Sequence, residues 1–255
     1  MNTHPTKEWF DDDSFWIDQY PVMFSDQSFA EAGDQVEELI KLVKPQGCEV
    51  LDLGCGPGRF AIPLAKQGFH VTGVDRTAFL LEKARMRAEA AKVEIGWVLQ
   101  DMREFVRPDA FDLIISMSTS FGYFEDRRDD VKVLRHMLGN LKPGGTCVID
   151  LKGKEAVART LQLTTADTAQ DGAIVVRRCH VVDDWTRVRN EVIEVRDGQR
   201  MRTFNFSTNL YSGQELRDRL ESVGFAHVKL CGNLNGGEYG FNAPRLIAVA
   251  LRPTC

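Results

Sequence analysis

From residue 48 to residue 151, short β-rich runs alternate with helical patterns, which restricts the fold more than any other feature of the chain. Strand-like runs cover 49–53, 71–74, 94–99, 111–116 and 146–151, and helical periods cover 59–67, 78–91 and 126–141. In the last of these, Val131, Leu134, Leu138 and Leu141 recur at helical spacing, and Lys142-Pro143-Gly144-Gly145 provides the stop. Strands separated by helices predict right-handed crossovers and a parallel sheet with helices on both faces. Leu113-Ile114-Ile115 shows no polar alternation, as a central strand buried on both sides requires.

The first of these strands runs into Val50-Leu51-Asp52-Leu53-Gly54-Cys55-Gly56-Pro57-Gly58. Alternate glycines after an apolar strand let the backbone take positive φ and approach a ligand with no Cβ in the way. Such a loop at a strand's carboxyl end forms one wall of a nucleotide-sized crevice. The spacing is D-x-G-x-G-x-G; the dinucleotide pattern G-x-G-x-x-G would need glycine where Arg59 stands.

The grammar changes over 172–208, where β-like runs at 174–182, 187–196 and 200–206 follow one another. Asp183-Asp184 and Asp197-Gly198 supply the turns, which predicts an antiparallel insertion too small to bury much core alone. Helical grammar returns with the capping box Ser212-Gly213-Gln214-Glu215, and Gly224 ends that helix. Strand-like runs at 225–230 and 245–251 close the chain. The predicted organisation is an aromatic-rich cap segment over 1–44 and one α/β domain over 45–255 that carries the insertion.

With 255 residues and 43% hydrophobic content the chain can bury one large core. A net charge of −5 argues against a general nucleic-acid binder, which normally carries a basic face. Six scattered cysteines with no C-x-x-C pair read as buried structural thiols, so no metal site is expected. No leader pattern and no apolar run of membrane-spanning length is present, so a cytoplasmic protein with no membrane partner is expected.

Chemistry should gather at the carboxyl ends of the parallel strands. Asp52 is placed to accept from a cationic ligand group. Asp75 ends the second strand, where it can accept from both ribose hydroxyls or cap the helix that starts near Thr77. Asp101, with Met102 beside it, ends the third strand and can accept from an exocyclic adenine amine. Ser116 and the following Met117-Ser118-Thr119-Ser120-Phe121-Gly122-Tyr123 end the fourth strand and should face the reacting atoms.

Together these residues resemble the class I S-adenosylmethionine-dependent methyltransferases, a likeness that runs from the glycine loop through Asp75, Asp101-Met102 and Lys142-Pro143-Gly144-Gly145 to the final two strands. The resemblance implies a Rossmann-like α/β fold: a seven-stranded, mostly parallel sheet whose last strand is antiparallel. It implies S-adenosylmethionine as cofactor, with S-adenosylhomocysteine as product. The methionine moiety would lie on Asp52 and the glycine loop, the ribose on Asp75, and the adenine on Asp101-Met102. The cofactor set expected on this basis is Asp52, Gly54, Cys55, Gly56, Gly58, Asp75, Arg76, Asp101, Met102 and Ser116. A narrower likeness to bacterial sugar N,N-dimethyltransferases rests on the D-M-R-[DE]-F run from Asp101 to Phe105 and the S-x-G-Y segment from Ser120 to Tyr123. In that group a β insertion covers the site or mediates dimers, which implies a homodimer partner here.

Methyl transfer from a sulfonium needs alignment and exclusion of water more than it needs a base. His4, His70, His136, His180 and His227 all lie outside the carboxyl-edge loops, unless the insertion folds His180 over the site. The expected acceptor is a small molecule methylated on nitrogen or oxygen; alternatives are a protein or RNA acceptor, or a non-catalytic S-adenosylmethionine-binding protein. Candidate catalytic residues are Tyr20, Tyr123 and Glu238, with Asp11, Asp12 and Asp13 as outsiders. Candidate acceptor contacts are Phe24, Arg59, Ser118, Phe121 and Tyr239; Tyr20 and Phe24 are the preferred lid contacts of the cap segment.

Overall fold

The structure is a computed structural model and describes residues 8–168 and 172–254, so His4 and Cys255 lie outside it. After a single 3₁₀ turn at Trp9–Asp11, two helices precede the first strand: α1 (Asp13–Met23) and α2 (Asp26–Val43). The alternating core follows as β1 (Glu49–Leu53), α3 (Ala61–Lys66), β2 (His70–Asp75), α4 (Ala78–Ala91), β3 (Gly96–Leu99), β4 (Phe111–Ser116), α5 (Arg127–Asn140) and β5 (Leu141–Leu151). Then come α6 (Lys154–Thr160), β6 (Thr164–Thr168), β7 (Ile174–Val182), β8 (Arg187–Arg196) and β9 (Gln199–Asn209). The chain ends with α7 (Gly213–Val223), β10 (Ala226–Cys231) and β11 (Leu246–Leu251).

Seven strands form the large sheet in the order β10-β11-β5-β4-β1-β2-β3. β1 to β5 run parallel to one another, while β11 runs antiparallel to both β10 and β5. The apolar run in β4 is buried throughout, because helices cover both faces of this sheet. The Lys142-Pro143-Gly144-Gly145 segment does stop α5, but its residues already belong to β5. The capping box is formed: Ser212 Oγ accepts from Glu215 N at 3.2 Å, and Ser212 N donates to Glu215 Oε2 at 2.8 Å.

The small sheet runs β6-β7-β8-β9 and is antiparallel throughout. It has one strand more than the sequence pattern showed. β6 is polar, exposed and paired on one side alone, so no hydrophobic alternation announces it. Asp197 and Gly198 both take positive φ (49° and 73°), the left-handed pair that a tight hairpin turn requires. A buried carboxylate fastens this sheet to the domain. Asp130 of α5 accepts from Asn209 Nδ2 at 2.7 Å and from the Tyr211 hydroxyl, and burial pushes its pKa up to about 6.

Of the described cysteines, Cys55, Cys147 and Cys231 are buried as expected, whereas Cys48 is exposed. Cys48, Glu49 and His70 stand close enough to share an ion, but they lie where β1 and β2 begin, at the opposite edge from the carboxyl ends. Among the described residues no helix is long and apolar enough to cross a membrane.

Candidate active site

A cavity of about 230 Å³ opens where β1, β2, β3 and β4 end. Its floor is the glycine loop, held over the end of β2 by hydrogen bonds from Gly54 N and Cys55 N to Val74 O at 2.8 and 3.1 Å. Gly54, Gly56 and Gly58 all take positive φ, yet they do different work. A Cβ on Gly54 would strike Ser120 at 2.8 Å, so this glycine lets the β4 loop close against the floor. A Cβ on Gly56 would project toward the Phe24 ring at 3.6 Å, into the space under the arm. Gly58 does not line the cavity: it makes room for Trp97, whose ring would stand 3.0 Å from an added Cβ, and its expected cofactor contact is corrected accordingly.

Asp52 is buried on the cavity wall with Oδ2 unpartnered. Burial, aided by the charge of Asp75, pushes its pKa up to about 7. Asp75 accepts from Gly56 N at 2.8 Å and Thr77 N at 2.9 Å, so it pins the glycine loop to the start of α4. The cap of α4 is Thr77 and not Asp75. The cap alternative is therefore set aside, and burial raises the Asp75 pKa despite these hydrogen bonds.

Asp101 and Met102 both line the cavity. The carboxylate of Asp101, however, is committed to protein donors. Its Oδ1 accepts from Arg103 N and Nε at 2.7 and 3.1 Å, and Oδ2 from Arg103 and Arg76 guanidinium groups at 2.7 and 3.0 Å. Burial acts to raise its pKa, but these cations outweigh burial and hold it below the usual range. An adenine amine would have to displace one of them, so the expected role of Asp101 as a free acceptor is corrected. Arg76 joins the wall and also pairs with Asp11, over the Phe10 ring at 4.8 Å.

The arm forms the roof through Phe10, Trp16, Met23 and Phe24. Its aromatic rings also pack on the small sheet: Trp9 lies 5.4 Å from Phe206 and donates from Nε1 to Ser207 O at 3.0 Å. Phe24 lines the cavity, but Tyr20 does not. Tyr20 turns to α4, with its ring 5.6 Å from Phe79 and its hydroxyl accepting from Arg87 at 3.2 Å. Glu238 is an exposed loop residue away from the cavity, and Tyr239 gives its hydroxyl to Glu155. Phe121 is core, 5.9 Å from Tyr211, and the buried Ser116 hydroxyl lies behind the wall without a partner. These four expectations are corrected along with Tyr20.

Arg59, Cys55, Ser118 and Tyr123 do line the cavity. Burial and nearby Asp75 raise the Tyr123 pKa well above its ordinary value, so it stays a neutral phenol. Sequence reasoning missed the brace behind Ser118. Ser118 and Thr119 both take positive φ (57° and 68°), a strained pair for residues with side chains. Asp150 holds them, accepting from Ser118 N at 2.9 Å and, through its carbonyl, from Thr119 N at 2.8 Å. Arg245 completes the brace with bonds to Asp150 Oδ1 at 2.6 Å and Thr119 Oγ1 at 3.1 Å.

Residues 50–145 match a family profile described as a methyltransferase domain. Residues 50–145 therefore carry a methyltransferase domain. YqeM of Bacillus subtilis (strain 168), itself named as a methyltransferase, is 25% identical over 84% of this chain and 87% of its own. The chain spans about half the length of other curated relatives that it matches. Among solved structures, the CcbJ methyltransferase of Streptomyces caelestis superposes with a TM-score of 0.76 at 19% identity, covering 88% of this chain and 90% of that one. CalS10, an amino pentose methyltransferase from Micromonospora echinaspora, superposes with a TM-score of 0.68 at 18% identity over 99% of each chain. At these identities the two structures speak for the fold.

The crevice of this domain fits S-adenosylmethionine by its own chemistry. The unpartnered, buried Asp52 oxygen suits a cationic group, and Gly54 and Gly56 leave main chain bare to the ligand. Asp75 offers a buried carboxylate at the end of β2. Bound there, the donor supplies a methyl group made electrophilic by the sulfonium.

Proposed function

We propose that this methyltransferase acts on a nitrogen or oxygen of a small-molecule acceptor by in-line displacement. The observation that carries this reading is the roof: Phe10, Trp16, Met23 and Phe24 close over a cavity of about 230 Å³. A small reacting group can enter such a space, and water is kept out. A folded protein or RNA acceptor would have to lift the arm.

The wall residues support positioning more than proton abstraction. Ser118 and Ser120 present hydroxyls from a braced loop, and Tyr123 can donate as a neutral phenol but not serve as a ready base. Among the described residues no histidine lines the cavity. His180 lies in a neighbouring cleft of about 1170 Å³ that shares Phe10 and Tyr123 with the cavity. An amine that reaches the site uncharged, or a carboxylate, fits this inventory. The description of CalS10 as an amino pentose methyltransferase favours an amino sugar within that class.

The test is a methyl-transfer assay with mass-spectrometric readout against panels of amines, amino sugars, carboxylates and phenols, beside unfractionated RNA and protein. Label in the small-molecule panels is the expected result; label confined to the RNA or protein fraction would overturn the reading. We also infer that the small sheet, which exposes Ile174, Trp185 and Met201, pairs two copies of the chain. Sedimentation at micromolar concentration should give a dimer, and a monomer would refute the pairing.

A further inference from the structure

The cavity uses the carboxyl ends of β1 and β2, but the amino ends of the same two strands also gather chemistry. There Cys48, Glu49 and His70 bring a sulfur, a carboxylate oxygen and a ring nitrogen within 4.8 Å of one another. Parallel pairing sets Glu49 opposite His70 on the first rung of the ladder, and His70 N donates to Cys48 O at 2.9 Å. Asp112 of β4 holds this rung from the other side, accepting from Glu49 N at 3.0 Å. Gly47 leaves room for it: a Cβ there would strike the Asp112 carboxylate at 2.3 Å. The three side chains therefore stand on main chain that is hydrogen-bonded from both sides.

Their spacing suits a metal ion. His70 Nδ1 lies 2.8 Å from Glu49 Oε1 and 3.6 Å from Cys48 Sγ, so one nitrogen faces both other donors. A proton on that nitrogen satisfies the carboxylate and leaves the sulfur unserved, whereas a cation between them serves all three electron pairs. Tetrahedral zinc, with bonds of about 2.3 Å to sulfur and about 2.0 Å to nitrogen, sets those two atoms about 3.5 Å apart. The separation of 3.6 Å meets that requirement. Nitrogen and oxygen need about 3.3 Å, a widening of about half an ångström that exposed His70 can make by turning its ring. Cys48 is exposed too, which gives the ion a path from solvent and its fourth position a water. Lys142 is a cation near this point, but its ammonium is neutralised by Asp112 at 2.9 Å.

We propose that Cys48, Glu49 and His70 form a zinc site that clips the start of β1 to the start of β2. A thiolate, an imidazole and a carboxylate make a mixed sulfur, nitrogen and oxygen set, which suits zinc and not magnesium or calcium. The site replaces the expectation that the chain holds no metal. About 13 Å of strand separates Glu49 from Leu53 at the other end of β1, so the ion acts on stability and takes no part in methyl transfer.

Calorimetry with zinc chloride should show one ion bound per chain. Cys48→Ser and His70→Ala should each weaken that binding about 100-fold or more, and Glu49→Gln about 10-fold. Cobalt(II) in place of zinc should give a thiolate-to-metal charge-transfer band that Cys48→Ser removes and Cys179→Ser, at the half-buried thiol of the small sheet, keeps. Zinc should raise the melting temperature of the unsubstituted chain and leave that of Cys48→Ser unchanged. Circular dichroism of the metal-free variants should match the original, because Cys48 and His70 are exposed. Neither heat nor a cobalt band at about tenfold molar excess of metal would reduce the cluster to a surface ion pair of Glu49 with His70. Zinc binding that survives Cys48→Ser and His70→Ala together would place the ion elsewhere. Either result overturns the proposal.

Discussion

The large sheet and the small sheet stand in opposite relations to the core. Residues of β4 and residues 145–151 of β5 are buried almost without interruption, while β6 and β7 are mostly exposed or half-exposed. Every floor residue of the cavity comes from the loops of the large sheet. The small sheet reaches the cavity indirectly: Phe204 and Phe206 support the aromatic arm, and the arm forms the roof. The difference separates two jobs. The buried sheet builds the floor of the cavity, and the exposed sheet props the arm that roofs it.

The sharpest way to break this comparison is to truncate one isoleucine in each sheet. Ile114→Ala, in fully buried β4, should cost about 2–5 kcal/mol in urea unfolding, whereas Ile174→Ala at an exposed position should stay within about 0.5 kcal/mol. Similar losses would show that the small sheet shares the core.

The larger pH effect should belong to the large sheet. Folded Asp52 holds its proton up to about pH 7, against 3.8 for the ordinary carboxyl. The folded state therefore binds more protons than the unfolded one between these values, and stability falls as pH rises through that window. Asp52→Asn removes this loss, so the variant should gain on the original chain by an amount on the order of 2–3 kcal/mol between pH 4 and pH 8. Unfolding curves that respond to pH identically in the two proteins would contradict the assignment.

Phe206→Ala probes the indirect route. It removes ring contacts to Trp9 and Phe15 and should cost about 1–2 kcal/mol, while S-adenosylhomocysteine binding weakens several-fold through a loosened roof. A stability loss with unaltered ligand affinity would cut the small sheet out of the site. The smallest effect is expected at the far hairpin: Gly198→Ala forces a side chain into positive φ and should cost about 1 kcal/mol with no change in ligand binding.

What could be read from the sequence does not follow that division. Strong periods mark elements of both, so β4 and α4 beside the large sheet and β7 and β8 of the small one end where the patterns end. The glycine loop, Asp52 and Asp75 were legible because backbone approach and buried charge demand particular residue types at strand ends. The arm was not legible as two helices, since aromatic residues shared between roof and core blur the amphipathic period of α1. Tyr20 was misjudged because a helix's rotation against its neighbours is a tertiary fact. Asp150 and Arg245 escaped notice for a related reason: they are 95 residues apart, and only the antiparallel pairing of β11 with β5 brings them together. Asp101 looked free because nothing in the local sequence reveals that Arg76 and Arg103 converge on it.

Trp97 gives the glycine loop an anchor that lies well outside the loop's own sequence. Its indole fills the volume that Gly58 and Gly73 leave open, so the third glycine of the motif serves a residue on β3, not the ligand. The nine residues from Val50 to Gly58 are therefore not a portable unit. Moved into another α/β scaffold without an indole at the matching position, the loop would sit over a void, and its two cavity-lining glycines would be free to sag from their places. Transplanting the binding property means carrying the tryptophan along.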